Sequence, residues 1–244
     1  MLDRVMQAIW ASKKKVPKLP GHIALHCADF SLAELNSPGE AQYASRFRKL
    51  HELAAAQLEH GPKMLTVYLL PTNIKESPNF STIVGAATKF FIELGRDKKL
   101  EGLNVAVLGR WYDLPPKLSA AIKGLAERAQ PSQVKATLNL CVNYDGQEEI
   151  VSACKLLGKR IAQGRLDPEM LTKEAIKESI YSAKLPPPEL IIVLNGKKAL
   201  EGFLLWDCPA AKIYFSEKKW DEFSFNDLLK AVAQAERWSA PKKL

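Results

Sequence analysis

Six short apolar runs rich in β-forming residues recur along this chain, most of them separated by longer stretches with helical spacing. The runs are 23–27, 65–70, 104–108, 137–142, 190–194 and 203–206. The helical stretches are 40–60, 79–94, 116–129, 147–163 with a second piece at 172–179, and 225–238. A strand apolar on both faces must be covered on both faces, which in practice means a parallel sheet with helical crossovers. The pattern therefore predicts a single α/β domain over 19–244, with a mostly parallel six-stranded sheet flanked by helices. Pro186-Pro187-Pro188 reads as a stiff approach to the fifth run, and no stretch reads as an interdomain linker or an internal repeat.

Residues 1–18 read differently. Leu2, Val5, Met6, Ile9 and Trp10 fall at helical spacing and are followed by Lys13-Lys14-Lys15 and Pro17, the pattern of a short amphipathic helix and a break. Such a helix either covers an apolar face of its own domain or rests on a membrane surface. No apolar run reaches the ~18 residues of a membrane span, so the expectation is a soluble chain with at most peripheral membrane contact. Cys27, Cys141, Cys154 and Cys208 form no C-x-x-C and read as reduced thiols, which suits the cytoplasm.

Lys and Arg number 35 against 27 Asp and Glu in 244 residues, a formal charge of +8. The excess is scattered, in Lys13-Lys14-Lys15, Lys197-Lys198, Lys218-Lys219 and Lys242-Lys243, with none of the interleaved aromatics on which bases stack. Nucleic acid is not the expected partner; phosphates or an anionic surface are.

In an open parallel sheet ligands bind beyond the carboxyl ends of the strands, which here means loops 28–37, 71–78, 109–115, 143–147 and 195–202. Their chemistry is sparse. His22 and His26 share a strand face about 13 Å apart and Cys27 points the other way, a poor metal geometry. Glu148 and Glu149 open a helix, where carboxylates suit the dipole. Asn195-Gly196-Lys197-Lys198 lacks the spacing of a phosphate loop and reads as a basic turn. Trp111 and Tyr112 either line a pocket or cover the sheet edge.

Several segments, in order, resemble the cis-prenyltransferase family, the undecaprenyl and dehydrodolichyl diphosphate synthases. They are Leu19-Pro20-Gly21-His22-Ile23-Ala24-Leu25, Leu65 to Pro78, Gly109 to Pro115, Thr137 to Gly146, Pro188-Glu189-Leu190-Ile191-Ile192, Gly202-Phe203-Leu204-Leu205-Trp206, Ile213-Tyr214-Phe215 and Trp220 to Phe223. The resemblance implies a hydrophobic tunnel for a growing prenyl chain, a diphosphate site at its mouth, a dimer built partly on Phe203, Leu204, Leu205 and Trp206, and Mg²⁺ screening the departing pyrophosphate.

At the positions where the family carries its chemistry, this chain departs from it. The aspartate of the family's Asp-Gly-Asn-Gly-Arg-Trp loop corresponds to Ala28, followed by Asp29-Phe30-Ser31-Leu32-Ala33 with neither the glycines nor the arginine. In the second loop Thr72-Asn73-Ile74-Lys75 replaces Ser-Glu-Asn-Trp, and Ile74 can neither donate nor accept a hydrogen bond. The family's His-Lys-Ala-Gly corresponds to Tyr43-Ala44-Ser45-Arg46, and the arginine after Asn-Tyr-Gly-Gly corresponds to Gln147. The two diphosphate-gripping arginines of the fifth loop correspond to Val193 and Ala199, and the metal-completing carboxylate to Lys212.

A retained scaffold with altered chemical positions is similar to the family's non-catalytic, Nogo-B-receptor-like subunits. Those chains complete a partner's diphosphate site in trans through a C-terminal Arg-x-Gly, which corresponds here to Arg237-Trp238-Ser239. The resemblance then implies no cofactor in this chain, Mg²⁺ in a catalytic partner, and a heteromer with that partner, with a homodimer as the alternative. Two alternatives remain: a divergent active enzyme that uses Asp29, Lys197 and Lys198 as surrogate groups and holds Mg²⁺ itself, and a carrier that keeps the tunnel for a lipid.

Overall fold

The computed structural model describes residues 18–27, 40–127 and 133–238. The amphipathic start and the 28–37 loop lie outside the described residues. Six strands form one sheet: β1 (His22–His26), β2 (Met64–Pro71), β3 (Leu103–Leu108), β4 (Ala136–Tyr144), β5 (Leu190–Val193) and β6 (Lys212–Phe215). They lie in the order β3-β4-β2-β1-β5-β6 and every pairing is parallel. The α/β expectation therefore holds, with no antiparallel member.

Side chains alternate across each strand. Ile23, Leu25, Leu65, Val67, Leu138 and Leu140 face one layer, and Ala24, Tyr68, Cys141, Ile191 and Val193 face the other. The first layer is the larger. It holds α1 (Glu40–His60), α2 (Phe80–Arg96), α3 (Pro116–Ala126) and, further along the chain, the C-terminal helix. On α2 the buried set Ile83, Ala87, Phe90, Phe91 and Leu94 recurs at the 3.6-residue period that places it on one stripe. Phe90 stacks on Phe47 of α1 with ring centroids 5.2 Å apart and meets Phe91 edge-on. Each fully buried side chain of this kind contributes about 1.5–3 kcal/mol.

The second layer is filled by Tyr181, Leu185 and the irregular segment that follows β5, and α4 (Gly146–Ala162) and the five-residue α5 (Lys173–Lys177) attach to it through Glu149 and Lys177. The last helix, α6 (Phe225–Ala235), begins at a capping box in which Ser224 and Asp227 satisfy each other's backbone N–H groups.

The sixth strand corrects the sequence reading. Residues 203–206 form turns, and the strand is Lys212–Phe215. Glu201, Gly202 and Leu204 have φ of +46°, +80° and +46°, a left-handed path that cannot join a ladder. Phe203 and Leu204 are instead driven inward as the plug of the second layer. The helix expected over 172–179 is the shorter α5, and the one expected to reach 238 ends at Ala235.

Candidate functional site

The carboxyl ends of β2, β3 and β4 meet in a cavity of about 310 Å³ lined by Thr72, Asn73, Lys75, Glu76, Arg110, Asp113, Asn143 and Glu148. Its walls are held by a reciprocal pair of hydrogen bonds between two loops. Arg110 N–H donates to the Asn143 carbonyl at 3.0 Å, and Asn143 Nδ2 returns a bond to the Arg110 carbonyl at 2.7 Å. Gly109 makes the turn at φ +105°, where an added Cβ would lie 2.5 Å from the Val142 carbonyl oxygen.

The charges in this cavity do not suit a diphosphate. Lys75 and Arg110 stand against Glu76, Asp113 and Glu148, two cations to three carboxylates, and Arg110 Nε already donates to Asp113 at 2.7 Å. A multivalent anion entering here meets net repulsion. Trp111 packs at the edge of the first layer and Tyr112 is 59% exposed; neither lines the cavity.

Ile74 sits in a short 3-10 turn, Thr72–Glu76, with its side chain in the first-layer core. Val193 is equally enclosed in the second. Two positions where the resemblance places polar or cationic groups are therefore part of the packing. Ala199 is exposed. Ala28 and Asp29 lie outside the described residues.

Beyond β5 the chain turns through left-handed Asn195 and Gly196, whose N–H groups donate to the carbonyls of Lys218 and Ser216. Lys197 forms an ion pair with Glu201, so one candidate surrogate cation is already neutralised by its own loop. Lys198 is exposed and takes no ion pair among the described residues.

Lys212, Arg237 and Trp238 lie at the other end of the sheet. Lys212 and Ile23 are both level with Leu190 in the ladder, four residues and about 13 Å before Cys27. The Lys212 ammonium donates to the carbonyls of Ala235 at 2.7 Å and Trp238 at 2.9 Å, closing the C-terminus of α6. The Trp238 ring stacks on Tyr214 at 6.3 Å. Arg237 is exposed beside Lys230 along a shallow groove on α6. Ser239 lies outside the described residues. Within one chain, none of these groups can share a ligand with the loops at the strand ends.

At the positions where the resemblance expects the carboxylates that hold Mg²⁺, Ala28 has none to offer and Lys212 is a cation bonded to the end of α6. Among the described residues no three His, Cys, Asp or Glu side chains converge as a metal requires. His22 is tied structurally: its Nδ1–H donates to the Pro186 carbonyl, while Nε2 lies 2.7 Å from the Thr66 hydroxyl, which also accepts from Asn139.

The four residues expected at a subunit interface divide. Phe203 and Leu204 are core, whereas Leu205 is 39% exposed and Trp206 half-buried. Glu148 and Glu149 do open α4, in its first turn, but neither caps it. Asp145 caps α4, accepting from the N–H groups of Gln147 and Glu148, while Glu149 is buried. Its carboxyl accepts from the Tyr144 hydroxyl at 2.6 Å and from Ser182 N–H at 3.1 Å, and burial raises its pKa. Ser182 continues to Asp207, and Asp207 to Lys177. This network has no signature in local residue spacing.

Among the described residues no helix is long and apolar enough to cross a membrane. The undecaprenyl diphosphate synthase family model matches residues 33–239. A tritrans,polycis-undecaprenyl-diphosphate synthase (geranylgeranyl-diphosphate specific) of Methanopyrus kandleri is 33% identical over 193 residues, 78% of this chain and 71% of that protein. The protein of the same name from Picrophilus torridus is 27% identical over 238 residues, 95% of this chain and 92% of its own length. In structure, the chain resembles lavandulyl diphosphate synthase from Lavandula x intermedia with a TM-score of 0.78 at 22% identity, covering 91% of this chain and 97% of that one. With 207 consecutive residues under the family model and a sheet of matching fold, this chain belongs to the undecaprenyl diphosphate synthase family of cis-prenyltransferases.

Proposed function

We propose that this chain is a catalytically silent member of the family that serves as the partner subunit of a catalytic homologue in a polyprenyl diphosphate synthase. The observation that carries this reading is the enclosure of Ile74 and Val193 in the two cores. A side chain in a close-packed interior cannot turn out to a ligand, and neither residue has a polar atom to offer if it did. The strand-end cavity, with carboxylates in excess, supports the same reading.

In the first layer Tyr43, Phe47, Phe90 and Phe91 fill the space between α1, α2 and the sheet, and a prenyl chain seated there would have to displace them. The role in trans falls to Arg237, exposed at the end of α6 and without a side-chain ion pair among the described residues. Its planar guanidinium suits two phosphate oxygens of a partner's substrate.

The names of the curated relatives, which are synthases, favour a second reading, a divergent active isoprenyl transferase. One experiment separates the two. The purified chain, a homologue from the same genome that carries the loop aspartate and arginines, and their mixture are each assayed for incorporation of isopentenyl diphosphate into an allylic diphosphate with Mg²⁺. The subunit reading expects no product from this chain alone, and a mixture at least roughly tenfold faster than the homologue, a gain lost on Arg237→Ala. Elongation by this chain alone overturns it.

A further inference from the structure

The chain enters its domain along a groove of about 230 Å³ at the amino ends of β1, β5 and β6. One wall is the entering chain itself, Leu19 and Pro20, both half-buried, with Leu19 packed on the first-layer core. The floor is Leu190 of β5 with Val232 and Ala235 of α6. Two exposed carboxylates, Glu189 and Glu236, complete the lining with Lys212.

These carboxylates fix the chain where it enters. Glu236 Oε1 accepts from Lys18 N–H at 2.8 Å, and Glu189 Oε1 accepts from Gly21 N–H at 2.6 Å. The other oxygen of each takes no hydrogen bond or ion pair among the described residues. The Lys212 ammonium is held by the carbonyls of Ala235 and Trp238, which leaves both carboxylate oxygens open to an incoming cation.

The residues upstream match this groove in chemistry and in reach. Leu2, Val5, Met6, Ile9 and Trp10 recur at the helical period, and Lys13-Lys14-Lys15 follow just before Pro17. Pro17 biases Val16 toward an extended backbone, so helical spacing stops short of the entry point. The connection from Trp10 to Lys18 can span about 23 Å at roughly 3.3 Å per residue, enough for the apolar stripe to return over its own exit. A tether this short holds the stripe at an effective concentration of about millimolar, so weak contacts suffice.

Other occupants fit less well. Small-molecule pockets run to about 300–1,000 Å³, above the volume of this one. A stable interface with a separate chain takes about 20–30 residues a side, and nine line this groove. A membrane surface would take the apolar stripe but leave the two carboxylates without their cations, facing an anionic leaflet.

We infer that residues 2–15 dock on this groove of their own domain, the apolar stripe over Leu19, Pro20 and the α6 floor, and Lys13, Lys14 and Lys15 against Glu189 and Glu236. Ala235 and Arg237 lie about 160° apart around α6, so the docked segment leaves the Arg237 face open. The inference therefore goes beyond the subunit reading and stands apart from it.

Zero-length carbodiimide cross-linking of the purified full chain, read by peptide mass spectrometry, tests this. Lys13, Lys14 or Lys15 should be joined to Glu189 or Glu236 within one chain. The variant I9E/W10E alters only the stripe, and its thermal melt verifies the domain. The cross-link yield should then fall roughly tenfold, because the tether alone no longer holds the lysines in place. No such cross-link in the wild type overturns the inference, and so does an undiminished yield in the variant, which would mean that the lysines meet the carboxylates through the tether alone. In a mixture of ordinary and heavy-nitrogen-labelled chains, cross-links that join a light peptide to a heavy one overturn it in favour of a second copy. Sedimentation with vesicles of about 30% anionic lipid, lost on I9E/W10E, overturns it in favour of a membrane surface.

Discussion

The Nε2 atom of His26 lies 3.6 Å from Glu201 Oε2, beyond hydrogen-bond reach, and neither ring nitrogen finds another partner among the described residues. The ring is fully buried, stacked on Tyr68 at 5.1 Å and edge-on to Phe203 at 5.6 Å. This environment suits a neutral imidazole. Burial lowers its pKa to about 4, against the opposing pull of the Glu201 carboxylate.

Stability should therefore depend on pH through this residue. The folded state binds the His26 proton only near pH 4, whereas the unfolded chain binds it near 6.5, so between these values the unfolded state holds more protons. The contribution is complete above pH 6.5 and is lost as pH falls toward 4, on the order of 2 kcal/mol between pH 7 and 5. His22 shifts in the same direction and Glu149 in the opposite one. The difference between wild type and His26→Leu isolates the residue. Urea unfolding at pH 7 and 5 should show a smaller loss in the variant; equal losses would refute the account.

Lys212 supplies a second prediction. Its ammonium satisfies two carbonyls at the negative end of α6. Lys212→Met should cost about 1–3 kcal/mol by leaving those carbonyls unmet. Lys212→Glu, which reintroduces the carboxylate that the family resemblance expects there, should cost more, because it adds negative charge to the helix C-terminus. Thermal melts should rank wild type above Met above Glu, with no rescue of the Glu variant by Mg²⁺. A Glu variant as stable as the Met variant would contradict this.

The contrast between Ile74 and the Glu149 network shows which parts of this protein can be read from sequence. The losses at Ile74 and Val193 are visible in the chain because the ability to donate or accept belongs to the residue itself. The β/α alternation is equally visible, since burial on both faces leaves an unbroken apolar run such as 137–142. The choice between 203–206 and 212–215 as last strand was not visible: both are short and largely apolar, and what excludes the first is a left-handed Leu204, a conformation that leucine does not advertise. Glu149 meets Ser182 across 33 residues and Ser182 meets Asp207 across 25, so no local spacing could announce their network.

That network should prove stabilising where it is most enclosed. Asp207 is buried, with its carboxylate 2.8 Å from the Lys177 ammonium and 2.5 Å from the Ser182 hydroxyl. Asp207→Ala leaves a cation and a hydroxyl facing an apolar gap and should cost about 3–5 kcal/mol. Replacing both partners, as Lys177→Met with Asp207→Ala, should cost less than the sum of the single changes, because no lone buried charge remains. Denaturant titration of the four proteins gives the coupling directly, and strict additivity would show that the pair acts as two independent surface charges.

Gly146 and Gly158 offer the sharpest comparison, since both lie in α4. A Cβ on Gly146 would overlap the Gly202 carbonyl oxygen and approach Leu205 Cβ to 2.9 Å. The segment it strikes is already fixed by the left-handed backbone of Glu201, Gly202 and Leu204, so it has little freedom to retreat. Gly146→Ala should therefore destabilise by about 1–3 kcal/mol. A Cβ on Gly158 meets nothing within 4 Å. There alanine simply restricts the unfolded chain and favours the helix, which should stabilise by about 0.5–1 kcal/mol. The urea midpoints of the two variants should move in opposite directions at an unchanged slope. If Gly146→Ala melts like wild type, the contact between the start of α4 and the 202–205 segment is looser than described, and Leu205 would then not be fixed beside the helix.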